Sequence, residues 1–194
     1  MHPLKHLHTV NAHRYQVMIN CFKVGLIFQG LTHDLSKYSW PEFKIGAKYY
    51  RDGMSPHVGE RDEFGFSTAW LHHKGRNKHH FEYWIDYTHE DKPHLTGMKM
   101  PVKYVVEMFM DRVAASKIYC GKDYTTYKPL EYYNRKKDYY AIHDETRALL
   151  ELLLKMLAKK GERYTFAFIR KRVLVKGYDV LSGRVVNSSN AANQ

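Results

Sequence analysis

Residues 101–119 read PVKYVVEMFMDRVAASKIY, and the spacing of their apolar side chains decides the fold class. Val102, Val105, Val106, Phe109 and Val113 recur at three- and four-residue intervals, the period of one helical face, and Pro101 starts the run. With about 3.6 residues per turn, Asp111 points about 180° away from that stripe. It shares its side with Met108, Ala115 and Ile118, so the helix is apolar on nearly all sides. An aspartate inside such a helix needs a partner.

The same period runs outward from this segment in both directions. Val10, His13, Val17, Cys21 and Val24 form a helical stripe that ends near Gly25, with one histidine inside it. Ser39 and Glu42 have capping-box spacing with Pro41 in the first turn, which predicts a helix reaching Asp52 and Gly53. DGMSPHVGERDEFG (52–65) and THEDKPHLTG (88–97) read as loops. Between them FSTAWLHHK (66–74) predicts a helix, broken or bent at Gly75 before NKHHFEYWIDY. DETRALLELLLKMLAKKG (144–161) predicts an amphipathic helix with a glycine stop, and YTFAFIRKRVLVKGYDV (164–180) suits either helix or strand. Strand alternation is scarce elsewhere, so the expectation is an all-α, single-domain chain. Its core spans about 5–120, basic helices follow at about 128–180, and 181–194 is a flexible tail.

Bulk properties narrow the function. The 194 residues are 44% hydrophobic and 26% charged, values of a globular domain and not of a disordered chain. The N-terminal MHPLKHLH is polar and no apolar run approaches the length of a membrane span, so a cytoplasmic protein without a membrane partner is expected. Two cysteines without CxxC spacing speak against a disulfide framework or a cysteine-rich zinc site. The formal charge is +11, and residues 128–184 hold 14 Lys/Arg against 7 Asp/Glu. An excess of this kind attracts nucleic acid or anionic small molecules, although a solvated basic face explains it too.

Thirteen histidines stand out by their grouping: His13 in the apolar stripe, His33 beside Asp34 in THDLSK (32–37), His72 and His73, and His79 and His80. Imidazole nitrogens and carboxylate oxygens suit Mn, Fe, Zn, Ni or Co, and a carboxylate can bridge two such ions, with Asp34 the natural bridge. Taken singly these residues have plainer readings. His13 could be a core histidine, HHKGRNKHH a solvated or nucleic-acid-contacting segment, and His143-Asp144 is a second such dipeptide without matching context.

The order His13, His33-Asp34, histidine cluster, Asp111 resembles the H…HD…H…D signature of the HD-domain metal-dependent phosphohydrolases, an all-helical superfamily. HRYQV looks like its first motif, HDLSK is similar to the HDxxK form of the HD-GYP branch, and MDRVAAS resembles its closing aspartate motif. The GYP triplet is missing. GLTHDLSKYSWPEF with AWLHHKGRNKHHFEYW also resembles an uncharacterised protein family of phages and Gram-positive bacteria over most of the chain, which would place a phage-encoded copy in the host cytoplasm.

The superfamily resemblance implies a helical bundle holding two divalent transition-metal ions on His13, His33, Asp34, Asp111, His72 and His80, with His73, His79 and His57 as rivals for the second ion. It implies a phosphohydrolase or phosphodiesterase acting on a nucleotide or cyclic (oligo)nucleotide through a metal-activated water. Asp34 and Lys37 would then be catalytic, and Lys37, Lys74, Arg76 and Asn77 would contact the anionic substrate. A di-iron oxygenase with the same ligands and a non-enzymatic nucleic-acid-binding protein are the alternatives.

Overall fold

The computed structural model describes residues 1–187. The chain is all-α, with a small hairpin as the exception. Its helices are α1 (Pro3–Val24), α2 (Ile27–Thr32), α3 (Trp40–Lys48), α4 (Pro56–Phe64), α5 (Thr68–Lys74), α6 (Val102–Cys120), α7 (Lys128–Asn134) and α8 (Asp144–Phe168). Strands β1 (Ile85–Tyr87) and β2 (Leu95–Gly97) pair antiparallel between α5 and α6. Among the described residues no helix is long and apolar enough to cross a membrane.

Helix α6 is the axis of the molecule. Val105 through Met110, Val113 and Ala114 are all buried, including Glu107, as a helix apolar on nearly every side requires. On one flank it packs against α1, whose stripe Val10, His13, Val17, Cys21 and Val24 is buried and extends one turn back to His6. On another it meets α8, where Leu149, Leu150, Leu153, Leu154 and Leu157 are fully enclosed. Helices α2 and α3 lean on α1, and α5 leans on α3. The result is a sheath of short helices that holds polar side chains against the α1–α6 seam.

Several local expectations are corrected. The stretch 52–65 is not all loop: α4 forms there because Glu60, buried at 2% exposure, accepts hydrogen bonds from Ser67 Oγ and Thr68 Oγ1, both at 2.5 Å. Loop composition is overridden by these bonds across the following turn. Helix α3 stops at Lys48, short of Asp52 and Gly53, and its capping box does not form. Ser39 Oγ donates to Ser36 O instead, and Glu42 turns toward two histidines of α5. The stretch 88–97 is not all loop either, since Leu95–Gly97 pairs with Ile85–Tyr87 to close the hairpin.

Gly161 does not stop α8. It bends it, with φ 76° and ψ 175°, and the helix resumes because Thr165, Phe166, Ile169 and Val173 remain buried beyond the bend. The ambiguous stretch 164–180 is therefore helical, with a π-helical turn at Ile169–Val173. Helical turns at Gly177–Asn187 continue past residue 180, and residues 188–194 of the expected tail lie outside the described residues.

Candidate metal centre

Four elements deliver the site. α1 supplies His13, the turn after α2 supplies His33 and Asp34, α5 and the chain after it supply His73, His79 and His80, and α6 supplies Glu107 and Asp111. The turn at Asp34 is the strained one. Asp34 has φ 53° and ψ 28°, the one non-glycine residue with positive φ among those described. A left-handed backbone there costs of order 1–3 kcal/mol and persists only where the surroundings impose it. Arg14 imposes it: Nε donates to His33 O at 2.7 Å, Nη2 to Leu31 O at 3.1 Å and Nη1 to the Tyr38 hydroxyl at 2.9 Å.

The strained turn places the two oxygens of Asp34 in different company. Oδ2 lies 3.4 Å from His33 Nε2 and 3.8 Å from His13 Nε2, and Asp111 Oδ1 closes this group at 2.9 Å from His13 Nε2 and 3.7 Å from His33 Nε2. Oδ1 faces the other way, 3.3 Å from His73 Nε2 and 3.4 Å from His79 Nε2, with His80 completing that group. Within each group the ligand atoms lie within 4.8 Å of one another. Ligands about 2.1 Å from one tetrahedral ion stand roughly 3.4 Å apart, so both groups have the dimensions of a metal site.

The hydrogen-bond inventory carries the same message. His13 Nε2, His33 Nε2, His79 Nε2, His80 Nε2 and Asp34 Oδ1 are buried and lack hydrogen-bond partners; the 2.9 Å approach of His13 to Asp111 does not have hydrogen-bond geometry. Each such atom left alone costs about 1–3 kcal/mol. Four orphaned imidazole nitrogens around a carboxylate whose own Oδ1 is unpaired fit a group that accepts electron pairs, and the donor set suits a divalent transition metal.

Two glutamates orient the rings. Glu107 Oε1 accepts from Nδ1 of His33 at 2.9 Å and lies 3.2 Å from Nδ1 of His79, so one oxygen serves a histidine of each group. Glu42 accepts from Nδ1 of His72 at 2.6 Å and of His73 at 2.8 Å. A proton held on Nδ1 leaves the Nε2 lone pair free to ligate.

Charges in the cluster act on one another. Burial opposes ionisation of Asp34, but the charges of His33, Lys37 and His73 outweigh it and hold the carboxyl well below its usual range. Burial likewise opposes ionisation of Asp111, and the adjacent imidazoles of His13 and His33 overcome it. His33 resists burial and is raised well above the ordinary histidine range, chiefly by Asp34. His13 and His80 are lowered, mainly by burial, with Lys37 reinforcing the effect at His13 and His79 at His80. Lys37 Nζ stands 2.7 Å from Asp34 Oδ2. Lys37 thus supplies part of the positive charge that the carboxylates demand, and a cation held by the imidazole nitrogens would supply the rest.

Of the residues singled out in the sequence, His13, His33, Asp34 and Asp111 come together, and His80 joins the second group. His72 does not: its Nδ1 is engaged by Glu42, and His73, one position on, faces Asp34 in its place. Neighbours on a helix point about 100° apart, so only one of the pair can face inward. His79 also belongs to the cluster, whereas His57 lies outside it, 3.4 Å from Ser67 Oγ.

Asn77 is buried and donates to Ser36 Oγ and His73 O, both at 2.8 Å, so it braces the site from within and is not free to meet a substrate. Lys74 is half-buried and Arg76 exposed, and neither forms a salt bridge among the described residues. Sequence reasoning missed Glu107, Glu42 and Arg14. Glu107 had a legible signal, since it precedes Asp111 by one helical turn on the same face.

The fold and site define an all-helical protein built on buried histidine and carboxylate groups close enough to hold metal. Residues 2–156, which include every residue of the cluster, match the Family of unknown function (DUF5662), and the chain belongs to that family. No curated protein and no solved structure matches the chain.

Proposed function

We propose that the protein is a metal-dependent phosphohydrolase or phosphodiesterase of the HD kind, acting on a nucleotide or cyclic (oligo)nucleotide. The observation that carries this reading is the sharing of Asp34: one buried carboxylate whose oxygens face two separate histidine groups is what two adjacent cations require. Divalent ions bound there supply a water made nucleophilic near neutral pH and neutralise charge on phosphoryl oxygens. His13, His33 and Asp111 would hold one ion, and His73, His79 and His80 the other.

Lys37 is the group placed to meet the substrate. Its side chain is 25% exposed beside Asp34, so it can exchange that partner for a phosphate oxygen. Lys37 and the basic composition favour a phosphoester over dioxygen as the reactant. The nucleic-acid alternative loses support because His73 and His79, read there as backbone contacts, are buried.

Metal analysis of untagged protein, run beside a panel of nucleotides, cyclic nucleotides and bis(p-nitrophenyl) phosphate, tests the reading. Close to two equivalents of divalent metal with metal-dependent hydrolysis is expected. Two irons with no phosphoester hydrolysis would transfer the assignment to oxygen chemistry, and protein free of stoichiometric metal would remove it.

A further inference from the structure

From Lys155 to Lys176 the chain carries eight lysines and arginines, every one of them exposed, against a single acid, Glu162. Lys155 pairs with Glu151, and none of the others forms a salt bridge among the described residues. Glu162 is itself occupied, by Lys117 Nζ at 2.8 Å and by the Tyr124 hydroxyl at 2.9 Å. Residues 180–194 hold no Asp or Glu. The positive charge is therefore uncompensated, and like charges crowded on one surface attract a polyanion.

The bend at Gly161 brings part of this charge against the end of α1. Lys23 of α1 and Arg163 and Arg170 of the bent helix line one open concavity, together with Glu162, Phe166 and Ala167. Lys23 Nζ lies 5.9 Å from the centre of the Phe166 ring, which joins the two helices at this spot. All three cations are exposed and unpaired, so a ligand can reach them. Arg163, Ala167 and Arg170 follow the spacing of one helical face, with the arginines about 10 Å apart along the axis. Ala167 adds only a methyl group between them, which leaves room for a backbone to approach. Arg170, Lys171 and Arg172 share the π-helical turn at Ile169–Val173, a distortion that recurs at functional sites. Tyr164, beside Arg163, is 54% exposed and offers a ring on which an unpaired base can stack.

We propose that this surface binds single-stranded nucleic acid through its phosphodiester backbone, with Lys23, Arg163 and Arg170 on phosphates of one strand and a base against Tyr164. Guanidinium forks suit phosphate oxygens, and a chain of phosphates meets cations spread along a helix in a way that one small anion does not. A membrane fits less well. An interfacial helix needs a free apolar face, and here Thr165, Phe166, Ile169 and Val173 are buried in the core. A duplex keeps its bases stacked on one another and leaves Tyr164 without a role. The surface is distinct from the metal centre, since Lys23 lies ten residues beyond His13 on α1, about 15 Å along the axis. It does not depend on what chemistry the metal cluster performs.

Fluorescence anisotropy with labelled oligo(dT) and oligo(U) tests it, on protein as purified, with the oligonucleotides checked for cleavage on a gel. Both should bind, because they share the phosphodiester, and both should bind more tightly than a duplex. Log K should fall against log salt with a slope of about −2, at about −0.7 for each of three phosphates neutralised. Arg163→Gln combined with Arg170→Gln should weaken binding at least about tenfold, the worth of a charged hydrogen bond. Lys92→Gln combined with Lys103→Gln removes the same charge from exposed positions in the β1–β2 turn and at the other end of α6. Charges that distant are screened, so this pair should change affinity less than about threefold. Ala167→Glu, also at an exposed position, should abolish binding with the helical content unchanged. Equal losses in the arginine and lysine pairs would reduce the effect to net charge and overturn the proposal. Binding of polyglutamate as tight as that of the oligonucleotides, or tighter binding of the duplex, would also overturn it. Absence of cleavage with binding intact would count against the metal chemistry alone.

Discussion

Helix α6 divides two interiors that obey different rules. Toward α8 it presents Phe109, whose ring meets Phe166 edge-on at 6.5 Å within a cluster of leucines. Toward α1 and the turn after α2 it presents Glu107 and Asp111. The apolar side is complete as it stands, since apolar atoms ask only to be removed from water. The polar side combines a strained Asp34 with five buried atoms that lack partners. A folded chain tolerates that combination where a ligand satisfies it or where other packing outweighs it, and the α6–α8 core is the packing that outweighs it here.

Truncating the apolar side should therefore be the most damaging change. Phe109→Ala removes a fully buried ring and should cost about 3–5 kcal/mol, measured by denaturant unfolding, with the same loss in chelator and in added metal. Asp34→Asn should do the reverse. Asparagine tolerates the left-handed backbone, so the variant should fold, while the lost bridging charge should lower metal content and reduce hydrolysis by at least about a hundredfold. Wild-type metal content in that variant would break the distinction between the two interiors.

The two sides also differ in how far the sequence reveals them. The stripes Val10–Val24 and Val102–Val113 are legible because burial on one helical face imposes a period, and a period survives in one dimension. The convergence of His13, His33, Asp34 and Asp111 was legible only through a resemblance, since nothing in their spacing forces residues nearly a hundred positions apart to meet. The choice between His72 and His73 depends on the rotation of α5, which its burial of Ala69 and its bond to Glu42 determine. Glu42 itself carried a misleading local signal, because capping-box spacing is indistinguishable from that of a glutamate recruited elsewhere. Helix α4 was invisible for a related reason: its support is the distant pair Ser67 and Thr68 on Glu60.

Glu107 sharpens the comparison, because it sits among apolar residues of α6 yet serves the polar side. Its carboxyl resists burial and is nevertheless held below its ordinary range by the bonds from His33 and His79. Glu107→Gln should weaken metal at both positions together, by roughly 10–100-fold, the usual effect of removing a carboxylate behind a ligating histidine. Glu42→Gln touches only His73 among the ligands and should weaken one position, so a metal titration that resolves two sites separates them. A smaller change is expected from Lys37→Ala, which should keep its metal and lose about tenfold in hydrolysis, the worth of one charged hydrogen bond.

The smallest expected effect tests a polar group that lies outside the cluster and behaves like the core. His6 is buried in α1 against α3, so close to Gly46 that a side-chain carbon there would stand 2.1 Å from its Nε2. Burial, reinforced by the charge of Lys37, pushes its pKa down to about 4. In the unfolded chain the ring titrates near its ordinary value of about 6.5. The unfolded state therefore takes up the proton first as pH falls, and the stability contributed by neutral His6 is complete above about 6.5 and lost progressively toward 4. His6→Gln cannot titrate in that window. Thermal melts of wild type and variant in chelator, at pH 7 and pH 4.5, should show the wild type losing more by roughly 2–4 °C in Tm, the shift that a modest interaction produces in a chain of this length. His57, pushed by burial to about 3, is present in both proteins and cancels in the difference. Parallel pH profiles would show that His6 keeps enough water to titrate normally, and would place it with the solvated histidines of the surface.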